Sequence, residues 1–278
     1  MAPADYAYLS ELLQRESGLC LGPHKEYLLE SRLTPLARTR GLGGLSGLVR
    51  RLRERGDDEL SRAVCEAMTT NESLFFRDAT PFRLLQEELL PELAARRVAT
   101  RRLRIWCAAG STGQEPYSLA MILDEMAALF YGWRVEILST DYSRAALDRA
   151  RAGLYNHFEV QRGLPIQMLT RHFHRVGDDW QISESLRRAV QFRELNLLEP
   201  FQHLGRFDVV LCRNVLIYFD LPTKAEVLAR LAGCVADDGY LFLGGSETAM
   251  GVTRHFDRVP GAGTSVYRVA DGGWRIAV

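Results

Sequence analysis

The run Leu103-Arg-Ile-Trp-Cys-Ala-Ala-Gly-Ser-Thr-Gly-Gln-Glu-Pro-Tyr-Ser118 constrains the fold more than any other part of the chain. Leu103 to Ala109 is a short apolar run of strand length. Gly110 and Gly113 bracket a tight turn, and Pro116 sits where a helix can begin because its missing N–H is not needed in the first turn. Tyr117 to Phe130 then carries Leu119, Ile122, Leu123 and Met126 at helical spacing. Strand, glycine turn and helix form the first half of a doubly wound unit, whose ligands bind above the carboxyl end of the strand. Glycine at 110 lets a ligand approach the backbone closely. The spacing G-x-x-G-x-E-P is neither G-x-G-x-x-G nor a P-loop, so no pyrophosphate cradle is indicated. Glu115 at the mouth would repel a phosphate but suits a ligand with hydroxyls or positive charge.

Strands alternate with helices after this unit, which sets an α/β class. Val135 to Leu138 reads as a second strand, ending at Asp141, with a helix over Arg144–Ala152. An acid closing that strand either accepts ribose hydroxyls or caps the helix; strand order and position favour ribose. Further strands are expected at Ala189–Phe192, Phe207–Arg213, Tyr240–Leu243 and Thr264–Val269, with a helix over 223–236 and a turn at Asp238-Gly239. The 153–188 segment is too long for a plain connection, and Phe173 to Ile182 can form a hairpin turning at Gly177-Asp-Asp179. His172 and His174 could chelate a metal by spacing, but no Cys or carboxylate flanks them at metal-site spacing, and no metal is assigned.

The amino-terminal quarter offers helices only. Leu9, Leu12 and Leu13 mark the first, ending near Gly18. Leu28, Leu29, Leu33 and Leu36 mark a second, which Pro35 is expected to end or bend. Gly41 to Gly47 connects to a third, with Leu48, Val49 and Leu52, and Leu60, Val64, Ala67 and Met68 make a fourth. Arg32, Arg38, Arg40, Arg50, Arg51, Arg53 and Arg55 form either a solvated face or a docking surface for an acidic partner. Next, Met68 to Asp78 holds a polar loop with Asn71, Ser73 and Arg77, with Phe75 and Phe76 buried beside them. Such a loop is an interdomain hinge or the edge of a ligand cleft. Thr80-Pro81 opens a helix with Phe82, Leu85, Leu89 and Leu93.

Composition removes several classes. Lys+Arg and Asp+Glu balance at 35 each over 278 residues, so no global field recruits nucleic acid or anionic membrane. The first residues lack a basic and an apolar signal region, and no run nears the ~20 apolar residues of a bilayer span. Five scattered cysteines without C-x-x-C pairs fit reduced thiols in a cytoplasmic protein.

Four segments, taken in order, resemble the bacterial chemotaxis receptor methyltransferases of the CheR family: Met68-Thr-Thr-Asn71 with Phe75-Phe-Arg-Asp78, Ala109 to Ser118, Asn196-Leu-Leu198, and Cys212-Arg-Asn-Val-Leu-Ile-Tyr-Phe-Asp220. The resemblance runs from the helical start through Val269. It implies a Rossmann-like class I S-adenosylmethionine-dependent methyltransferase domain with a small all-helical N-terminal domain and a small antiparallel β insert. The expected division is a helical domain over 1–78, a linker helix over 79–98 and the cofactor domain over 99–278, with the insert at about 155–195. By the same resemblance Asn71, Ser73 and Arg77 approach the methionine end and the reacting methyl, and Glu115 meets the methionine portion or its ammonium. Asp141 binds ribose, Asn196 and Leu197 hold adenine, Gly110, Asn214 and Val215 line the cofactor site, and Tyr218 faces the transferring methyl.

The implied chemistry is methyl transfer from S-adenosyl-L-methionine to glutamate carboxylates on chemoreceptor helices, leaving S-adenosyl-L-homocysteine. A glutamate with a pKa of about 4.3 is already an anionic nucleophile at neutral pH, so no activating base is needed. Arg77 is assigned to orienting that carboxylate and Tyr218 to sharing the task; Tyr218 could instead be a core aromatic beside Phe219. Relatives usually carry Thr at position 73 and Glu at position 114, where this chain has Ser73 and Gln114. The insert lacks a glycine-rich extension, so docking on the receptor's helical bundle without a peptide tether is expected. The protein is expected to be a cytoplasmic monomer that neither inserts into membrane nor binds nucleic acid. A different protein carboxylate, a small acid, or a non-catalytic cofactor sensor or scaffold are the alternatives.

Overall fold

The computed structural model describes residues 1–55, 57–262 and 265–270, with the Arg55 side chain left aside. Four helices come first: α1 (Pro3–Ser17), α2 (Glu26–Thr39), α3 (Leu45–Arg55) and α4 (Asp58–Met68). They bury their leucine faces in a core of their own, with Leu9, Leu13, Leu29, Leu33, Leu48 and Val64 fully inside. Gly18 ends α1 at φ 75°, as its sequence position suggests.

Pro35 does not end α2, which runs on to Thr39. A proline removes the bond to the carbonyl four residues back, here Ser31, at about 3 kcal/mol. Both residues are on the exposed face, where water serves that carbonyl, and burial of Leu29, Leu33 and Ala37 on the opposite face offsets the loss. A comparable accommodation occurs in the next helix. It comprises α5 (Thr80–Leu84), a π-helical turn over Leu85–Leu89 and α6 (Leu90–Arg96). The wide turn makes room for the ring of Pro91 against the carbonyl of Glu87. Its cap is Ala79 rather than Thr80. Phe82, Leu85, Leu89, Leu90 and Leu93 pack into the core of the following sheet.

That sheet is seven-stranded. Its first half is β1 (Arg102–Cys107), α7 (Gln114–Glu125), β2 (Arg134–Asp141) and α8 (Arg144–Ala152). After an insert come β6 (Val190–Glu194), β7 (Phe207–Cys212), α12 (Leu221–Ala232), β8 (Val235–Leu243), β9 (Phe256–Arg258) and β10 (Val266–Val269). The insert holds β3 (Leu154–Tyr155), α9 (His157–Gln161), α10 (Ile166–His172), β4 (Phe173–Val176), β5 (Asp179–Ile182) and α11 (Glu184–Ala189), with β3-β5-β4 as a separate antiparallel sheet.

Strand order is β6-β2-β1-β7-β8-β10-β9, parallel from β6 through β8, then antiparallel. The order reverses between β1 and β7, and a crevice opens there above the carboxyl ends of the strands. Each face of the sheet carries an apolar core, one around Tyr117, Ile137 and Leu211, the other around Trp106, Val210 and Leu231.

Several boundaries differ from the expectations. Helix α7 stops at Glu125, short of Phe130, and α12 spans 221–232 rather than 223–236. Asp238-Gly239 is not a turn before a strand but lies inside β8, where the register against β7 slips between Phe207 and Val209. A Cβ at Gly239 would lie 2.8 Å from the carbonyl oxygen of Asp208, so the irregularity requires glycine. Thr264, the expected start of the last strand, and residues 271–278 lie outside the described residues. Among the described residues, no helix is long and apolar enough to cross a membrane.

Candidate active site

A cleft with about 1020 Å³ of empty space lies between the four-helix unit and the carboxyl ends of β1, β2, β6 and β7. Ten of the eleven residues singled out from sequence line it: Asn71, Ser73, Arg77, Glu115, Asp141, Asn196, Leu197, Asn214, Val215 and Tyr218. Gly110 is not itself among the lining residues, though Ala109 and Ser111 on either side of it are. Its Cα packs on Ser139, and a Cβ there would fall 1.9 Å from the Ser139 hydroxyl. Glycine at 110 thus lets the turn sit against β2.

Asp141 stands at the end of β2 with both carboxylate oxygens engaged by backbone donors. Ser111 N–H reaches Oδ2 at 2.8 Å and Ser143 N–H reaches Oδ1 at 2.9 Å. Helix α8 is capped by Ser143, whose hydroxyl accepts from Ala146 N–H, so Asp141 is not the cap. A carboxylate has about four acceptor sites, and these bonds leave further ones for a ligand. Burial raises the pKa of Asp141 above the usual aspartate range, against the N–H bonds from Ser143 and Ser111.

Glu115, in the first turn of α7, is buried and salt-bridged to Arg213 at 2.8 Å. Burial pushes its pKa up, and Arg213 draws it back. Arg213 follows β7 and has only 1% of its side chain exposed. Its Nη2 also donates to the Arg77 carbonyl at 2.9 Å and to Asp78 Oδ2 at 2.6 Å, and its guanidinium lies over the Phe82 ring. One buried cation therefore ties the start of α7 to the loop that carries Arg77.

That loop is held at both flanks. Ser111 Oγ donates to the Asn71 carbonyl at 2.8 Å, and Phe76 N–H donates to Ser118 Oγ at 2.9 Å. Phe75 is buried, but Phe76 is only half-buried and packs edge-on against Phe82. Phe76, Asp78 and Ala79 have φ of 50°, 68° and 41° on either side of Arg77, and Ser111 and Asn214 are also left-handed. Of the seven such non-glycine residues among those described, Ser111 and Asn214 line the cleft and three more flank Arg77, a clustering of backbone strain typical of functional sites. Arg77 itself is half-buried, with Nη1 donating to the Glu72 carbonyl at 3.3 Å.

The far wall depends on Glu247, whose carboxylate accepts from the N–H groups of Asn214, Val215, Ile217 and Gly244 at 2.6 to 3.2 Å. This fan of donors fixes the segment leading to half-buried Tyr218. Asn196 is occupied: Nδ2 donates to the Glu16 carbonyl and Oδ1 accepts from Leu198 N–H. Ser17, the last residue of α1, and Leu19 just past it complete this wall, and Cys20 N–H donates to the Tyr218 carbonyl at 2.9 Å.

Sequence reading missed Arg213, Glu247 and the wall at Ser17–Leu19. A charged residue directly after the apolar run of β7, and an acid just past the glycines closing β8, were the available signals. The arginines of the helical unit are mostly engaged within the chain. Arg40 pairs with Glu59, Arg51 with Asp57 and Arg53 with Asp5, while Arg32 serves backbone carbonyls. His172 is buried and His174 exposed, and among the described residues no group of three or more His, Cys, Asp or Glu could hold a metal.

The cleft's own chemistry fits S-adenosylmethionine. Leu19, Leu195, Leu197 and Val215 offer apolar wall for a nucleobase. Glu72, Glu115 and Asp141 outnumber Arg77 and Arg213, so a cation is accommodated and a phosphate is not. Doubly wound sheet, switch-point cleft and a lining suited to a cation fit a Rossmann-like S-adenosylmethionine-dependent methyltransferase. The family model described as "CheR methyltransferase, SAM binding domain" matches residues 71–264, and "CheR methyltransferase, all-alpha domain" matches residues 4–69. The chain belongs to the CheR methyltransferase family. It is similar to chemotaxis protein methyltransferase 1 of Pseudomonas aeruginosa, 42% identical over 272 residues covering 96% of this chain and 98% of that one. A chemotaxis protein methyltransferase of Vibrio anguillarum is 43% identical, covering 92% and 93%. That of Escherichia coli is 34% identical, covering 92% and 88%.

Proposed function

We propose that the protein methylates glutamate side chains on the cytoplasmic helical bundle of chemoreceptors, giving glutamyl methyl esters and S-adenosylhomocysteine. The observation that carries this is the meeting of Asp141, Glu115 and Arg77, distant in the chain, on one cleft. In this reading Asp141 accepts the ribose hydroxyls, and Leu197 with the backbone of Asn196 flanks adenine, the Asn196 amide being spent on Glu16. Glu115, Asn71 and Ser73 face the methionine portion, and Asn214 and Val215 form the opposite wall. Residues 1–78 act as the helical cover, 79–98 as a linker helix and 99–278 as the cofactor unit. The protein works as a cytoplasmic monomer that docks without a peptide tether.

Bound S-adenosylmethionine supplies an activated methyl on a sulfonium. The acceptor carboxylate is anionic at neutral pH, so the residues here need move no proton; one C–O bond forms as one C–S bond breaks. Their task is alignment, with reacting atoms held at roughly 3–3.5 Å. Arg77 orients the incoming carboxylate through its guanidinium, and the Tyr218 hydroxyl supports it. Arg77 is held by a single long hydrogen bond to Glu72, which leaves most of its donors for this purpose.

Incubation with methyl-labelled cofactor and cytoplasmic receptor fragments tests the reading. Label should appear on the fragment and be released by mild base, as an ester requires. Arg77→Ala should abolish labelling while cofactor affinity falls less steeply. Label on another carboxylate only, or full turnover by Arg77→Ala, would overturn the substrate or the role respectively.

A further inference from the structure

The geometry points to Arg32 as a positioning residue that clamps the cofactor-facing loop, rather than as part of a partner-docking face. Arg32 lies on α2, on the helical unit, and its guanidinium turns inward. Nη1 donates to the carbonyls of Met68 at 2.7 Å and Thr69 at 2.9 Å, and Nη2 donates to Thr70 Oγ1 at 3.1 Å. Met68, Thr69 and Thr70 all line the cleft. They lead directly into Asn71, whose carbonyl is held from the other side by Ser111. The carbonyls ending α4 have no helical partner, and a cation there also meets the negative end of the helix dipole. A planar fork serving three acceptors fixes orientation as well as position, which a lysine cannot do.

The loop between α4 and Arg77 is therefore pinned at its start by Arg32, in its middle by Ser111 and at its end by Ser118 and Arg213. Of these, Arg32 alone comes from α2. Arg38, one turn and a half further along α2, is exposed and forms no ion pair among the described residues, which leaves it to meet an acidic partner. The same helix thus presents one arginine inward to the cofactor loop and one outward.

This inference rests on the cleft being the cofactor site, and the full chain tests it. S-adenosylmethionine binding is measured by calorimetry, and steady-state kinetics are run with receptor fragments at two salt concentrations. Arg32→Ala should raise the cofactor Kd about tenfold, as expected for losing hydrogen bonds from a charged donor. The KM for the fragment and its salt dependence should not move. Arg38→Ala should do the opposite, raising the fragment KM with an unchanged cofactor Kd. Arg32→Lys should recover part of the loss; should Arg32→Ala fail to fold, a few-fold rise in Kd for the lysine variant carries the test. A raised fragment KM with unchanged cofactor Kd for Arg32→Ala would make Arg32 a docking residue. A lowered Tm with both constants unchanged would make it merely a cap for α4. Either result overturns the clamp. No binding of cofactor by the unaltered chain would overturn the cleft reading itself, and the clamp with it.

Discussion

Replacing Arg213 by methionine removes the buried cation that is salt-bridged to Glu115. The two side chains are 1% and 10% exposed and meet at 2.8 Å. Breaking a buried pair from one side strands a charge and costs about 3–5 kcal/mol. The lost bond to the Arg77 carbonyl adds about 1 kcal/mol. Asp78, the other partner, is 48% exposed and is rehydrated, so it adds little. The total, about 4–6 kcal/mol, is a large share of the roughly 5–15 kcal/mol that keeps a protein folded. At ~2–4 °C per kcal/mol, Tm should fall on the order of 10 °C. The double variant Arg213→Met with Glu115→Gln should be less impaired than the single one, because no charge is left alone. The pH response has a definite sign. With its partner gone, Glu115 has a folded pKa still further above the unfolded value, so the penalty is present above that pKa and shrinks as pH falls through it. Urea denaturation of the four proteins in the cycle, at pH 8 and pH 5, measures all of this. A single-variant loss under about 1 kcal/mol, or strict additivity in the cycle, would refute the account of Arg213 as a buried counter-charge.

Gly110→Ala should destabilise by about 1–3 kcal/mol, because the added Cβ would lie 1.9 Å from the Ser139 hydroxyl; combining it with Ser139→Ala should recover much of this in thermal melts, and no recovery would mean another neighbour limits the turn. Burial raises the pKa of Asp141, and only its ionised form can accept two ribose hydroxyls. Cofactor Kd should therefore rise as pH falls through a value above the ordinary aspartate range of about 3.9. Asp141→Asn should bind more weakly throughout and lack that component, leaving any acid limb to Glu115; an unchanged pH profile in the variant would exclude Asp141 from ribose binding.

How much of this was legible beforehand depended on range. The glycine turn at 110–113, the helix over Arg144–Ala152 and the hairpin at Gly177 are set by residues a few positions apart, and local chemistry determines them. Pro35 misled because local propensity was overridden by burial of the leucines on the other face of α2. Asp238-Gly239 misled because a turn signal and a strand irregularity use the same residues. The packing of Gly110 on Ser139 is invisible in the sequence, because the contact is made only once β1 and β2 pair. Glu247 gains its meaning from four N–H groups, three of them about thirty residues earlier. Arg32 read as a surface charge because nothing local shows that its acceptors lie 36 to 38 positions onward.

The attachment of the first helix to the catalytic sheet has its own consequence. The Glu16 carbonyl, the Cys20 amide and Gln14 each hold a residue of the cofactor unit, namely Asn196, Tyr218 and Asp220. A fragment starting after α4 would keep every strand yet lose Ser17 and Leu19 from the wall of the cleft. The helical unit and the sheet unit thus share one wall, and separating them would open the cleft on that side.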